Sequence, residues 1–91
     1  MEVSGRIKVI GETQTVSDKL RKREFVVTTD HTTMYPQFVS FVATQDKCNL
    51  LDNLNEGDEV NIQFNLKGRL WNSPQGEKYF NSLEIWRITK V

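Results

Sequence analysis

From Gly57 to Trp71 the chain alternates without interruption: Val60, Ile62, Phe64 and Leu66 share one parity, and Asn61, Gln63, Asn65 and Lys67 share the other. Successive side chains of a strand point to opposite faces, so the pattern predicts a strand with one buried and one wet face. That strand delivers Trp71 to the cluster Asn72-Ser73-Pro74-Gln75-Gly76, turn formers expected in solvent, before Lys78-Tyr79-Phe80 resumes the chain. A large ring beside a solvated hairpin tip calls for a reason.

The chain has 91 residues. It is expected to form one domain spanning residues 1–91, near the lower size at which a single core suffices without disulfides or metal, and association would help it. Cys48 is the sole cysteine, which excludes a disulfide framework and a cysteine zinc site and suits a reducing compartment. No apolar run approaches the roughly 18 residues of a membrane span, and Met1 to Gly5 lacks the basic-then-apolar pattern of a leader. A soluble cytoplasmic protein is expected. The formal net charge is zero, which argues against holding nucleic acid by bulk electrostatics alone. The distribution is uneven, however: Lys19, Arg21, Lys22 and Arg23 crowd one loop, Lys67, Arg69 and Lys78 flank the hairpin, and Asp52, Glu56, Asp58 and Glu59 gather between them.

Along the chain, Val3 to Val16 reads as a first strand with Gly5, Ile7 and Val9 on one parity and Gly11 where a long strand could bend or bulge. Ser17 to Lys22 reads as a polar, basic loop. Glu24 to Asp30 reads as a second strand rich in Phe, Val and Thr, ended by the turn Asp30-His31-Thr32-Thr33. Tyr35 to Thr44 reads as a third, with Pro36 tolerated at its start or on an edge, Val39, Phe41 and Ala43 inward, and Phe38 outward. Asp46 to Asn55 is the one helical candidate, carrying Leu50, Leu51 and Leu54, with Gly57 just past its end. The opening stretch is the fourth strand, and Lys78 to about Ile88 is the fifth, with Leu83 and Ile85 alternating against Ser82 and Glu84. Strand, strand, strand, short helix, strand, strand is the element order of an all-β, five-stranded OB-fold Greek-key barrel whose helix lies between strands three and four.

The run Leu54-Asn55-Glu56-Gly57-Asp58-Glu59-Val60-Asn61-Ile62, then Gly68-Arg69-Leu70-Trp71, Gly76 and Leu83-Glu84-Ile85, resembles the second half of bacterial single-stranded DNA-binding proteins. Gly5-Arg6-Ile7 and Phe38-Val39-Ser40-Phe41 resemble that family's first and third strands. Through Met1-Glu2-Val3-Ser4-Gly5, Glu24-Phe25-Val26-Val27, Tyr35-Pro36 and Gly57-Asp58-Glu59-Val60, the whole chain is similar to a small, largely uncharacterised group of bacterial single-strand-binding-like OB domains. The resemblance implies single-stranded DNA binding in replication or repair. It departs from the larger family in two ways. The sequence stops at Val91 directly after the fifth strand, so no acidic-tipped tail for recruiting replication partners is expected. The first three strands carry no tryptophan, which leaves Phe38 and Tyr35 for stacking positions and implies modest affinity.

A sequence-tolerant binder needs rings for bases and cations for phosphates. Trp71 and Tyr79 bracket the hairpin with Arg69 and Lys78 beside them; Trp71 either stacks on bases or packs over the barrel rim, and a ring at a turn favours the first reading. Tyr79 and Phe80 have opposite parities, so one is expected in the core and the other, Tyr79, outside. Phe38 is a second platform, or alternatively a subunit contact. Lys19, Arg21, Lys22 and Arg23 either funnel phosphates or form a merely solvated loop. Trp86 is expected on an outer face covered by the helix or by a second subunit. His31 reads as surface, Cys48 as a small hydrophobe, and no metal-ligand spacing, phosphate-cradling loop or paired acids suggests an enzyme or a cofactor. The expected function is non-sequence-specific single-stranded DNA binding by a non-enzymatic homodimer or homotetramer. The alternatives are a protein-interaction module and a single-stranded RNA binder.

Overall fold

The computed structural model describes residues 1–30 and 32–91; the expected surface position of His31 lies outside them. The described residues form six strands, β1 (Glu2–Ile10), β2 (Gln14–Ser17), β3 (Leu20–Thr29), β4 (Gln37–Thr44), β5 (Glu59–Ser73) and β6 (Gly76–Lys90), of which all but the exposed β2 enclose one core, and a short 3-10 helix (Gln45–Leu51) joins β4 to β5. The sheet order β1-β5-β6-β4-β3-β2, with β1 also paired to β3, closes a barrel. β1 and β2 are the two halves of the expected first strand, broken at residues 11–13, so the fold is the OB barrel with its helix where the element order puts it. Among the described residues no helix is long and apolar enough to cross a membrane.

The alternating segment supplies the middle of the core. Val60, Ile62 and Phe64 are buried with Phe25, Phe41, Ile7 and Ile85, and Phe41 stacks on Phe25 at 5.6 Å while meeting Phe64 edge-on at 5.3 Å. Val39, Phe41 and Ala43 face inward, Val39 only in part. Gly5 is required where β1 passes between β3 and β5: a Cβ there would collide with the Val27 side chain and lie 2.7 Å from the Thr28 carbonyl oxygen.

Several expectations need correction. Register jumps at Lys8, between the pairs Ile7↔Val27 and Val9↔Val26, so a bulge turns Val9 outward rather than leaving it in line with Ile7. A second bulge at Trp86, between Phe64↔Ile85 and Gln63↔Arg87, brings Ile88 back toward the core. The basic loop is mostly strand: Leu20 to Lys22 pair with β2, and the turn is only Asp18-Lys19. The helix is a 3-10 turn burying Cys48 and Leu51, side chains that eclipse at a spacing of three, and it ends well before Gly57. Leu66 is exposed although it continues the buried parity, because β5 and β6 run on past the barrel as a free hairpin. Tyr79 and Phe80 both lie on that hairpin, and neither enters the core.

Candidate nucleic-acid interface

The two-residue turn Pro74-Gln75 fixes the register of the projecting hairpin, pairing Trp71 with Lys78, Arg69 with Phe80 and Lys67 with Ser82. Residues directly opposite share a face, so Lys67, Arg69, Trp71, Lys78 and Phe80 form one side, and Leu66, Leu70 and Tyr79 form the other. On the first side, the Trp71 and Phe80 rings lie 6.3 Å apart, and the Lys78 ammonium sits 5.8 Å from the Trp71 ring centre. The indole is 49% exposed, so it is a surface ring propped by two neighbours.

That side bends over the outer surface of β3 and β4. β4 and β6 pair in parallel at a single position, Val42↔Glu84; beyond it the strands part and leave a groove of about 640 Å³. Lys22, Glu24, Ser40, Val42 and Thr44 line one wall, and Lys67, Arg69 and Phe80 line the other. The groove is not uniformly positive. Lys22 pairs with Glu24 at 3.7 Å and Lys67 with Glu84 at 3.5 Å, while Arg69 and Lys78 enter no ion pair among the described residues. Along β4, Phe38 shares the outward face of Ser40 and Val42, is 60% exposed, and lies 5.2 Å below the Lys8 ammonium.

Trp71, Phe38, Arg69, Lys78 and Lys22 are therefore brought to one face. Tyr79 is on the reverse side of the hairpin, where its hydroxyl donates to Glu77 at 2.8 Å. Arg21 and Arg23 leave the face too, because they share the inward parity of Phe25 at the barrel end closed by the 3-10 helix. Arg23 is a clamp: Nε donates to the Gly11 carbonyl at 2.7 Å and Nη1 to Asp52 at 2.7 Å and to the Cys48 carbonyl at 3.4 Å. Its side chain is only 17% exposed, so it is engaged within the fold and turned away from the groove. Arg21 pairs with Asp46 at 3.3 Å. Lys19 is at the β2–β3 turn, its carbonyl accepting from Gln45 Nε2 at 2.6 Å, and Tyr35 is exposed just before β4. Sequence reasoning missed Phe80 and Lys8, and placed Lys67 beside the hairpin without assigning it to the site. Phe80 and Lys67 follow from counting pairs outward from the hairpin turn; Lys8 does not, since nothing in its neighbours announces a bulge.

The model of a protein family described as Domain of unknown function (DUF3127) matches residues 2–89. No curated protein matches the sequence. Solved structures similar in fold include crystal forms of the mitochondrial single-stranded DNA-binding protein Rim1 of S. cerevisiae. One form superposes with a TM-score of 0.78 at 14% identity and the other with 0.74 at 16%, each covering 100% of this chain and 92% of that one. At such identities the likeness is one of fold.

Proposed function

This chain belongs to the DUF3127 family, and we propose that it binds single-stranded DNA without strong sequence preference, as a non-enzymatic cytoplasmic protein serving replication or repair. The observation that carries this reading is the single face on which exposed rings alternate with cations that have no carboxylate partner among the described residues: Trp71 with Lys78, Phe80 with Arg69, and Phe38 with Lys8. Bases stack on the rings whatever their identity, and the cations follow the phosphates. The groove beneath the hairpin gives an extended strand a path from Trp71 toward β3 and β4. The OB barrel shared with a mitochondrial single-stranded DNA-binding protein agrees with this reading. Stacking treats both sugars alike, so RNA is the runner-up ligand.

The reverse face of the hairpin supports association. Leu66, Leu70 and Tyr79 are exposed there, and a two-stranded ribbon without a third strand gains from cover. A homodimer or homotetramer packed on this face leaves Trp71 open on the other. The same patch is what a protein-interaction module would use, so the test must measure nucleic acid directly.

Fluorescence anisotropy of labelled oligo-dT, oligo-U and a duplex at low and moderate salt makes that measurement. Single strands should bind more tightly than duplex, because a duplex offers phosphates but hides its base faces. Equal affinity for duplex would remove stacking, and no binding at all would favour the interaction module.

A further inference from the structure

The groove has a continuation along β6. Beyond Glu84 the bulge sets Trp86 outside the core, 47% exposed. Beside it is a second hollow of about 350 Å³, walled by Thr44, Asn65, Glu84, Trp86 and the start of the 3-10 helix. The two hollows share Thr44 and Glu84 as lining residues, so they adjoin across the β4–β6 seam between the hairpin and Trp86.

We infer that Trp86 is a further base-stacking platform, engaged by the same single strand after it crosses Thr44 and Glu84, with Lys47 as its phosphate contact. The inference rests on the nucleic-acid reading above and extends it to a part of the surface outside the hairpin groove. Phe80 and Trp86 are six positions apart on one strand, a span of about 20 Å at strand rise, which about six stacked nucleotides cover at 3.4 Å each. The carboxylates along the way each have a cationic partner. Glu84 pairs with Lys67 at 3.5 Å and accepts from Thr44 Oγ1 at 3.3 Å, and Asp46 pairs with Arg21 at 3.3 Å. Lys47 lines the second hollow and enters no ion pair among the described residues. A half-exposed indole and a lysine lining one hollow place a ring and a cation at this end of the β4–β6 seam, as Trp71 and Lys78 do on the hairpin.

The chain has two tryptophans, so Trp71→Phe leaves Trp86 as the only indole while keeping a ring at position 71. Oligo-dT of about 16 nucleotides, the upper end of site sizes for one OB fold, is titrated into this variant while anisotropy of the labelled strand follows binding. Trp86 emission should be quenched with the same midpoint as the anisotropy. Trp86→Ala should weaken binding of that strand by about 5- to 150-fold, the equivalent of one lost base–ring stack. If Trp86→Ala does not fold, the emission of Trp71→Phe still decides. Trp86 emission that stays constant while the strand binds would overturn the inference and leave the hairpin reading standing. Emission that shifts with protein concentration and ignores the oligonucleotide would also overturn it, making Trp86 a subunit contact. Absence of any anisotropy change in the wild-type protein would instead defeat the underlying nucleic-acid reading.

Discussion

Replacing Arg69 and Lys78 together by alanine tests whether the hairpin face holds phosphates. Both side chains are exposed, both stand beside a ring, and neither enters an ion pair among the described residues, so each is free to displace a condensed counterion. A single-strand contact contributes about 0.7 to the slope of log affinity against log salt, so losing two should flatten the slope by about 1.4. Across the tenfold interval from 1 M to 0.1 M salt, that is a difference of about 25-fold in affinity at the lower concentration and little at the higher. Lys22 and Lys67 contribute less per charge, since each must first give up its carboxylate partner. Anisotropy titrations with oligo-dT at five or so salt concentrations, on a variant whose melting midpoint is unchanged, give the slope directly. A variant that binds more weakly by the same factor at every salt concentration would refute the reasoning, because the lost contacts would then not be ionic.

Arg23→Ala should leave that salt slope unchanged and cost about 2 to 3 kcal/mol of stability in a denaturant titration, since it removes charge-assisted bonds from a mostly buried guanidinium to Gly11 and Asp52; a stable variant with a flattened slope would return Arg23 to the binding site. Trp71→Ala should reduce affinity for oligo-dT by about 1 to 3 kcal/mol while destabilising the fold by about 1 kcal/mol or less, because the ring is half exposed and its ring contacts, Phe80 and Lys78, lie on the hairpin. A drop of about 3 to 5 kcal/mol in stability would identify it as core instead. Gly5→Ala should cost about 3 kcal/mol or more, the upper range for overpacking, because its Cβ meets the Thr28 carbonyl as well as the Val27 side chain; an unchanged melting midpoint would show that β1 can move away from β3.

Alternation made the barrel legible. Val60, Ile62, Phe64 and Phe41 were readable as core from parity alone, and the order of elements then selected the fold. Parity failed where one extra residue enters a strand. The bulges at Lys8 and Trp86 shift everything after them to the other face, and a bulge residue carries no compositional mark. The three leucines after Asp46 read as an α-helical stripe, yet the structure buries Cys48 and Leu51 from a tighter turn and leaves Leu50 exposed. The basic cluster was legible as a cluster but not as a surface. Once Leu20 to Arg23 belong to a strand, alternation sends Lys22 to the groove and Arg21 and Arg23 toward the barrel end. Tyr79 was misplaced for a related reason, since the turn length and not the neighbourhood of Trp71 decides which of Tyr79 and Phe80 joins it.

A neutral chain can still present a cationic face if its ion pairs are arranged unevenly, and here they are. Arg6 pairs with Glu59, Lys90 with Asp58, Arg23 with Asp52 and Arg21 with Asp46, so these four cations away from the groove are engaged within the fold. Inside the groove, Glu24 and Glu84 hold Lys22 and Lys67. What remains there is Arg69 and Lys78 beside their rings, with Lys8 over Phe38 along the same outward face. Charges separated by more than about 8 Å are screened at physiological salt, so this local residue of positive charge, and not the sum over the chain, is what a phosphate meets. The zero total removes long-range steering, so under the proposed function a strand would find the groove by ordinary diffusion and be retained by short-range contacts. In that reading rings and cations both contribute to affinity, and only the cations' share falls as salt rises.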